Sequence, residues 1–401
     1  MTGVTRFEYE PPTILHGANS VSSLDSELDR LDDERVIIIT SGTVGRTTDV
    51  MQPVTSTLGD RLVATFDEVT PAKTLGTAAA AARRGTEAQV DALIALGGGA
   101  SLDNAKLVSL LCAHDEPTTD VATSMVKRGS VSVPETGAFL DIFAIPTTLP
   151  GADLSQAAGV GLTMDTAVES GADVPGGGVS DARLMPAAVC YDPTIVATTP
   201  ADILARSAMN GYDKGLEAIY SRYHTPVTDA TATRGLALLQ SSLPAIMDEG
   251  TSVASLSRIL EGIALVQYGL SSPEMYRASI IHAFGHALTD AYRMQQGVAH
   301  AIAAPHVLSY LFEQVDARRE LLASAVDVDP DPDPADGVVD TVTETRDALG
   351  LPSSLRTVDG ADPADAPALA TAVLGDSFMG AVPRGLEPTH GELVNVFESM
   401  W

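Results

Sequence analysis

Short apolar runs, rich in β-branched residues, alternate with Ala-rich or Leu-rich stretches through the first half of the chain. This alternation is typical of strands linked by crossover helices in a largely parallel sheet. The stretches 22–31 and 74–84 indicate helices. The apolar runs predict strands over residues 35–40, 62–66, 92–96, 141–146 and 187–192. We therefore expect an α/β domain over residues 1–195.

After Pro200 the β-branched runs give way to long amphipathic patterns, with apolar residues three and four positions apart. That spacing places the apolar side chains on one face of a helix. The predicted helices cover residues 201–222, 227–248, 252–270, 273–293, 298–315 and 364–374. Residues 196–401 should therefore form an all-helical domain.

Two segments interrupt these patterns. Residues 326–340 are rich in Pro and Asp, and such a composition offers too little apolar surface to order a segment. We expect a solvated surface loop there, because the spacing and closing Glu of an EF-hand calcium loop are absent. The glycine run 176–178 should form a hairpin or a flexible loop, and we assign it no chemistry.

Composition excludes several classes of partner. The 401 residues contain 24 Lys and Arg against 53 Asp and Glu, which gives a formal net charge of −29. That charge repels phosphate backbones and anionic lipids, so we expect neither a nucleic-acid nor a membrane partner. The chain lacks a signal-like start and the roughly 18 consecutive apolar residues of a membrane span, so we expect a soluble, cytoplasmic protein.

Cation and cysteine usage add two expectations. Only four of the cations are lysine, and an acidic, lysine-poor surface suggests a protein kept soluble in a salt-rich cytoplasm. Cys112 and Cys190 both lie in apolar runs. We expect two buried free thiols rather than a disulfide.

A glycine motif directly follows the predicted strand 92–96. Gly97, Gly98 and Gly99 precede a Leu-rich helical stretch that carries Asp103 and Lys106. Glycines allow close approach of a ligand to the backbone, and a helix N-terminus favours negative charge. The arrangement suits a pyrophosphate, although it is not the G-x-G-x-x-G fingerprint and a bare glycine turn can be purely structural.

Five strings in matching order resemble the iron-containing alcohol dehydrogenase superfamily, most closely its maleylacetate reductase branch. They are GGGASLDNAK (97–106), IPTTLPGADLS (145–155), CYDPTIVATTP (190–200), SAMNGYDKGLEAIYS (207–221) and IIHAFGHAL…QQGVAHAIAAPHVL (280–308). The resemblance covers essentially the whole chain. It implies a Rossmann-like dinucleotide-binding domain followed by an all-helical domain, in the fold shared with dehydroquinate synthase.

The same resemblance implies a nicotinamide cofactor, NAD or NADP. The loop after the first strand, with Ser41 and Gly42, would hold the adenosine end but carries no acidic residue for the ribose hydroxyls, so a 2′-phosphate is not excluded. Thr147 and Thr148 could equally do no more than cap a strand end. The implied cofactor-binding residues are Ser41, Gly42, Gly97, Gly98, Gly99, Asp103, Lys106, Thr147 and Thr148.

The positions of the family's metal ligands are largely replaced. An Asp and three His hold the metal in metal-dependent members, whereas this chain has Asn210, Lys214, His282 and Gln296 there. An ammonium cannot donate a lone pair and repels a cation, so we expect no metal at these positions. A different site through Asp213 and Glu217 together with His282 remains an alternative.

Lys214, His282 and His286 are the candidate catalytic residues. A buried ammonium at the position of the metal could polarise a carbonyl and supply a proton. The alternative for Lys214 is a surface lysine paired with Glu217. By resemblance His282 helps to hold the carbonyl and His286 serves in a proton relay, whereas we expect His300 and His306 to be core residues.

We therefore predict a maleylacetate reductase-like, metal-independent oxidoreductase that moves hydride between NAD(P) and a small alcohol or carbonyl compound. The alternative is a dehydroquinate synthase-like lyase, or a noncatalytic relative of the same fold. Arg277 and Arg293 flank the histidine helix, but the sequence does not place either in a substrate pocket. We also expect a homo-oligomer.

Overall fold

The computed structural model describes residues 7–114, 116, 118–149, 151–161, 177–248, 251–272, 275–329 and 333–401. The chain forms two compact units, one of residues 10–199 and one of residues 200–401 together with the segment ending at Tyr9. The boundary thus lies four residues later than the predicted 195/196. Phe7 and Tyr9 belong to the second unit because Tyr9 packs edge-on against Tyr268, with 4.8 Å between ring centroids.

The first unit contains a six-stranded sheet, a two-stranded sheet and helices. The strands are β1 (Thr13–His16), β2 (Val36–Ser41), β3 (Leu62–Val69), β4 (Ala92–Gly97), β5 (Asp141–Pro146), β6 (Ala157–Val160), β7 (Gly177–Ser180) and β8 (Ala188–Tyr191). The helices are α1 (Leu24–Leu31), α2 (Gly42–Gly45), α3 (Thr48–Leu58), α4 (Leu75–Ala88), α5 (Gly99–Ala113), α6 (Thr118–Arg128) and α7 (Pro193–Val196).

The large sheet is parallel throughout, in the order β1-β8-β5-β4-β2-β3. Its central strands are continuous apolar runs because both faces are covered, and every residue of β4 is buried. One face packs on α1 and α3, where Leu28 and Val54 meet Ile38 and Ile94. The predicted α/β domain and its five strands are confirmed, whereas β1, only four residues long, was not predicted.

The second sheet involves part of the glycine run. Gly177 and Gly178 lie in β7, which pairs antiparallel with β6, and Gly176 lies outside the described residues. A Cβ on Gly177 would lie 2.6 Å from the carbonyl oxygen of Gly129, so this strand passes close to the end of α6. Of the two expected forms, a hairpin or a flexible loop, the described part of the segment adopts the hairpin.

The second unit is helical, as predicted. Its helices are α8 (Ala201–Tyr220), α9 (Pro226–Ser242), α10 (Val253–Gln267), α11 (Ile280–Tyr292), α12 (Gln296–Gln314), α13 (Arg319–Ala325), α14 (Ala335–Ala348), α15 (Ala366–Gly375) and α16 (His390–Ser399). Two-residue strands β9 (Ser271–Ser272) and β10 (Met275–Tyr276) pair antiparallel. Among the described residues, no helix has both the length and the apolar character that crossing a bilayer requires.

Three sequence predictions are wrong, two in this unit and one, on Cys112, in the first unit. The helix predicted from residue 273 begins only at Ile280, because β10 and the buried Arg277 come first. The predicted loop 326–340 contains the start of α14, which buries Val338 and Val342 against its neighbours. Cys190 is buried and free as expected, whereas Cys112 is free but only half-buried.

Candidate functional site

The predicted cofactor residues of the first unit meet at one edge of the parallel sheet. From β2 the chain moves outward to β3, and from β4 it moves in the opposite direction to β5, so the strand order reverses between β2 and β4. Parallel α/β sheets bind ligands outside the carboxyl ends of the strands at such a point. Ser41 ends β2 and Gly97 ends its neighbour β4, which places both at this edge.

Two glycines leave the backbone bare where α5 begins. Gly97 has a φ of +141°, and a Cβ there would lie 2.6 Å from Oγ of Ser101. A Cβ on Gly98 would lie 3.1 Å from Oγ1 of Thr148. No side chain caps the N-terminus of α5, which starts at Gly99. These features fit the pyrophosphate of a dinucleotide, because the backbone can approach it closely and a 15-residue helix points its positive end at it.

Thr147 and Thr148 follow β5 at the same edge. The backbone N–H of Thr147 donates to the carbonyl oxygen of Gly97 at 3.0 Å, which ties this turn to the glycine turn. Thr147 is buried, and its own carbonyl oxygen accepts a 2.8 Å hydrogen bond from the Thr199 hydroxyl. Thr148 is the more exposed of the two and lies against Gly98. Contact between either threonine and a cofactor remains a prediction.

Asp103 and Lys106 have partners inside the protein. Oδ2 of Asp103 lies 2.8 Å from Nζ of Lys73 and accepts the N–H of Gly159 at 3.3 Å. The charge of Asp103 raises the pKa of Lys73. Nζ of Lys106 donates to the carbonyl oxygens of Ala152 and Ala157, at 2.7 and 2.9 Å, and the side chain is buried. Both residues therefore hold the segment around β6 against α5, a role that the sequence did not suggest.

In the helical unit, four polar residues that the sequence analysis named as candidates lie at buried positions of α8. Asn210, Asp213, Lys214 and Glu217 are all buried, and Lys214 is only 6 % exposed. Helices α9, α10 and α12 pack around α8 and leave it little contact with water. The alternative of a surface lysine is therefore wrong. The positive charge of Lys214 reaches His282, whose pKa it lowers in addition to the larger effect of burial.

Glu217 holds His282 at the start of α11. One carboxyl oxygen, Oε1, accepts the backbone N–H of His282 at 3.0 Å and the Tyr220 hydroxyl at 3.3 Å. The other, Oε2, lies 2.5 Å from Nδ1 of His282. His282 is almost fully buried, so its ring is fixed by the protein rather than by solvent.

A second carboxyl–imidazole pair lies beside the first. Oδ2 of Asp213 is 3.3 Å from Nδ1 of His300, and the His300 ring meets that of His282 edge-on at 4.3 Å. A Cβ on Gly285 would lie 2.3 Å from Nε2 of His300, so only glycine in α11 leaves room for this ring. His300 is thus a core residue, as expected.

Burial decides the ionisation of these four groups. It raises the pKa of Glu217 to about 7 and that of Asp213 well above its usual value. It also lowers the pKa of His300 to about 3 and that of His282 far below its usual value. Neither close pair is an aligned hydrogen bond from a ring N–H to a carboxylate. Protonated carboxyl groups facing neutral imidazoles fit both the short distances and the pKa shifts, because an O–H can donate to a ring nitrogen.

His286, one turn further along α11, is the candidate that solvent reaches. Its side chain is 41 % exposed, and its Nδ1 lies 2.8 Å from Oδ2 of Asp376. Oδ1 of Asp376 accepts the backbone N–H of Phe378 at 2.8 Å, so the carboxylate is fixed from both sides. The Phe378 ring lies 4.9 Å from that of His286. Among the described residues, Nε2 of His286 has no hydrogen-bond partner.

Asp376 lies 90 residues after His286 in the chain and was not found by sequence reasoning. Burial alone would raise the pKa of Asp376, but the hydrogen bond and charge of His286 outweigh it and lower that pKa. The only local signal is the Asp-Ser-Phe sequence 376–378, in which the Asp side chain caps the short 3₁₀ helix Ser377–Ala381. Such a cap gives no hint of a distant histidine.

The residues that the resemblance aligns with the family's metal ligands offer few donors to a metal. Asn210 offers one amide oxygen, Lys214 an ammonium, and Gln296 lies at the first residue of α12. In the part of the chain that the structure describes, no three His, Cys, Asp or Glu side chains converge on a common point. The alternative site through Asp213 and Glu217 does not form either, because the two carboxyl groups face different histidines.

Three further residues singled out in the sequence, Arg277, Arg293 and His306, do not join these pairs of carboxyl groups and imidazoles. Arg277 is buried and donates to the carbonyl oxygens of Tyr223 and Gly269, and to the Ser272 hydroxyl. Arg293 caps the opposite end of α11 from His282. His306 was expected in the core but is only half-buried, because it lies between α12 and α16 with its Nδ1 2.9 Å from Oγ of Ser399.

Comparisons with known proteins agree over the whole chain. The family model described as iron-containing alcohol dehydrogenase matches residues 11–193, and that of the C-terminal domain of the Fe-containing alcohol dehydrogenase family matches residues 204–401. Maleylacetate reductase 1 of Cupriavidus pinatubonensis is 25% identical over 391 residues, which are 97% of this chain and 96% of that protein.

Solved structures show the same fold. A crystal structure of 1,3-propanediol oxidoreductase matches with a TM-score of 0.87 at 20% identity, over 99% of this chain and 100% of the other. Sulfoacetaldehyde reductase from Bifidobacterium kashiwanohense, solved in complex with NAD⁺, matches with a TM-score of 0.85 at 16% identity, over 99% of each chain. At these identities the structural likeness concerns the fold alone.

Proposed function

The chain belongs to the iron-containing alcohol dehydrogenase family, close to its maleylacetate reductase branch, and we propose that it is a member that works without a metal. It is an NAD(P)-dependent alcohol dehydrogenase or reductase, in keeping with this family. The proposed reaction is the reduction of a small carbonyl compound, or the reverse oxidation of an alcohol. A 3-oxo acid, such as the substrate named for the maleylacetate reductases, is the first class to test.

The buried ammonium of Lys214 is the observation that carries the metal-independent reaction. By the resemblance it stands where metal-dependent members carry a ligand, and its charge helps to lower the pKa of the buried His282. A positive charge in a site that excludes water stabilises a developing alkoxide more strongly than the same charge in water. We assign Lys214 the role of polarising the carbonyl oxygen, which an ion performs in metal-dependent relatives.

His286 completes the chemistry by moving the proton. With Nδ1 donating its hydrogen to Asp376, the imidazolium form of His286 delivers its Nε2 proton to the alkoxide oxygen in reduction, and the neutral ring accepts the alcohol proton at Nε2 in oxidation. Asp376 is the positioning residue that sets this tautomer. His282, neutral and fixed by Glu217, lies within reach of the charge of Lys214.

The sheet edge of the first unit offers the residues for the cofactor. Gly97, Gly98 and the N-terminus of α5 would hold the pyrophosphate, and Ser41 with Gly42 would hold the adenosine end. When bound, the nicotinamide supplies or accepts the hydride. The protein's own groups bind, orient and carry the proton.

A single preparation tests the proposal. Protein purified without chelator should contain well under one equivalent of iron or zinc, and a chelator should leave its turnover unchanged. Turnover is followed by absorbance at 340 nm with NADH or NADPH against 3-oxo acids and short aldehydes. Stoichiometric metal whose removal abolishes turnover would refute metal independence. No turnover with any substrate would refute the oxidoreductase itself and favour a lyase or a noncatalytic relative.

A further inference from the structure

A guanidinium lies over the end of β2, where the adenosine end of the cofactor is expected. Arg46 directly follows α2, and its side chain folds back along that helix. Its Nη1 lies 3.0 Å, and its Cζ 3.6 Å, from the position that a Cβ on Gly42 would take. Arg46 is exposed and makes no ion pair or hydrogen bond with any other described residue. Within the described residues it is a positive charge without a partner.

The residue at the end of β2 discriminates between the two nicotinamide dinucleotides in this type of fold. An acidic side chain there accepts hydrogen bonds from the ribose hydroxyls of NAD, and it repels the 2′-phosphate of NADP. In this chain that end is Thr40-Ser41-Gly42, with a small hydroxyl and no side chain after it. Nothing acidic on β2 therefore opposes a phosphate.

One carboxylate from the neighbouring strand competes with this interpretation. Asp67 of β3 is exposed, and its Oδ2 lies 3.4 Å from the position that a Cβ on Gly45 would take. At Gly42, by contrast, the nearest atom of Asp67 is its backbone oxygen, at 3.3 Å. The carboxylate thus lies beside the end of α2, and the guanidinium lies beside its beginning, next to Ser41.

We propose that Arg46 binds the 2′-phosphate of NADP and makes this protein prefer NADP(H) over NAD(H). The planar guanidinium offers two parallel N–H donors to phosphate oxygens. Because the Arg46 guanidinium is unpaired, it can bind a phosphate without first breaking an ion pair. The hydroxyl of Ser41 is a further donor beside it. The inference rests on the proposed use of a nicotinamide cofactor and specifies which one.

Binding, measured without any substrate, tests the assignment. Kd for NADPH and for NADH is obtained by titrating protein into each and following the nicotinamide fluorescence. The parent should bind NADPH at least about 10-fold more tightly, and Arg46→Ala should weaken NADPH roughly 10-fold to 100-fold while leaving NADH nearly unchanged. Arg84→Ala removes another exposed positive charge, from α4, and should change neither Kd. In the parent, added salt should weaken the binding of NADPH more than that of NADH, and this difference should be absent in Arg46→Ala.

Asp67→Asn decides between the two side chains. If Arg46 binds the phosphate, Asp67→Asn should strengthen NADPH binding slightly or leave it unchanged. If the parent prefers NADH and Asp67→Asn weakens that binding, Asp67 holds the ribose and our assignment is wrong. Equal affinity for both dinucleotides, unchanged in Arg46→Ala, also overturns it while leaving the oxidoreductase intact. Binding of neither dinucleotide overturns the proposed function and this inference with it.

Discussion

Replacing Asp376 by Asn tests whether the fixed carboxylate beside His286 serves the reaction. The two carboxylate oxygens have separate partners, the Phe378 N–H at 2.8 Å and Nδ1 of His286 at 2.8 Å. An amide has only one oxygen. If that oxygen keeps the Phe378 N–H, the NH₂ group faces His286 and imposes the opposite tautomer, which moves the hydrogen onto Nε2.

The size of the effect follows from the bond that is lost. A hydrogen bond to a charged group contributes about 1.5–3 kcal/mol. Since the His286 side chain is 41 % exposed, water screens part of this, and we take the lower half of that range. We therefore expect kcat/KM to fall by roughly 10-fold to 45-fold, mostly through kcat, because the tautomer matters when the proton moves.

Asp365→Asn is the matched control for this variant. Oδ2 of Asp365 accepts the hydroxyl of Tyr292 at 3.0 Å, which is another aspartate bond to α11 but lies at the end away from His286. Both variants should lower the thermal midpoint by similar small amounts, and only Asp376→Asn should lower kcat across the pH profile. A kcat within 2-fold of the parent for Asp376→Asn would show that Asp376 does not position His286 for catalysis.

Four other outcomes are expected. Lys214→Met should keep the fold and the Kd of the cofactor but lose roughly 10²-fold to 10³-fold in kcat, whereas near-parental turnover would remove Lys214 from the chemistry. Gly98→Val should abolish dinucleotide binding in a fluorescence titration without lowering the thermal midpoint much, and parental affinity would mean that the cofactor binds elsewhere. Because burial raises the pKa of Glu217 to about 7, folding loses stability as pH rises from the ordinary Glu value to about 7. Glu217→Gln should therefore gain thermal stability relative to the parent at pH 8 but not at pH 4, and an identical gain at both would contradict the shift. Finally, the thermal midpoint should fall on dilution from molar salt because unscreened carboxylates repel one another, and a constant or rising midpoint would argue against salt adaptation.

The fold was predictable where a local pattern determined the structure. The buried strands of the parallel sheet are continuous apolar runs, so β4 and β5 could be placed almost to the residue. Composition misled at residues 326–340, because the Pro and Asp residues there obscure the apolar Val338, which α14 buries. The late start of α11 at Ile280 was not predictable from the sequence, because the preceding Arg277 is held in place by long-range hydrogen bonds.

The candidate site was predictable only along single elements. The glycines at the end of β4 and the polar residues on α8 could be identified from sequence spacing. The burial of Lys214 could not, because it depends on helices from elsewhere in the chain that pack against α8. Asp376 illustrates the limit, since no periodicity connects it to His286 across 90 residues. Arg46 was missed for a similar reason. Its side chain lies next to Gly42 only because the turn of α2 brings the two residues together.

The positions of the four lysines make the protein unusual as a target for reagents that modify amines. Lys106 is enclosed by two carbonyl oxygens, Lys214 lies within the helical unit, and Lys73 is tied to Asp103. Lys127 on α6 is the exposed one. Lysine was thus retained mainly where the interior uses its charge. Reagents that acylate or cross-link ε-amines should consequently modify Lys127 first, so that one defined position can carry a fluorophore or a surface tether while the binding and catalytic groups stay untouched.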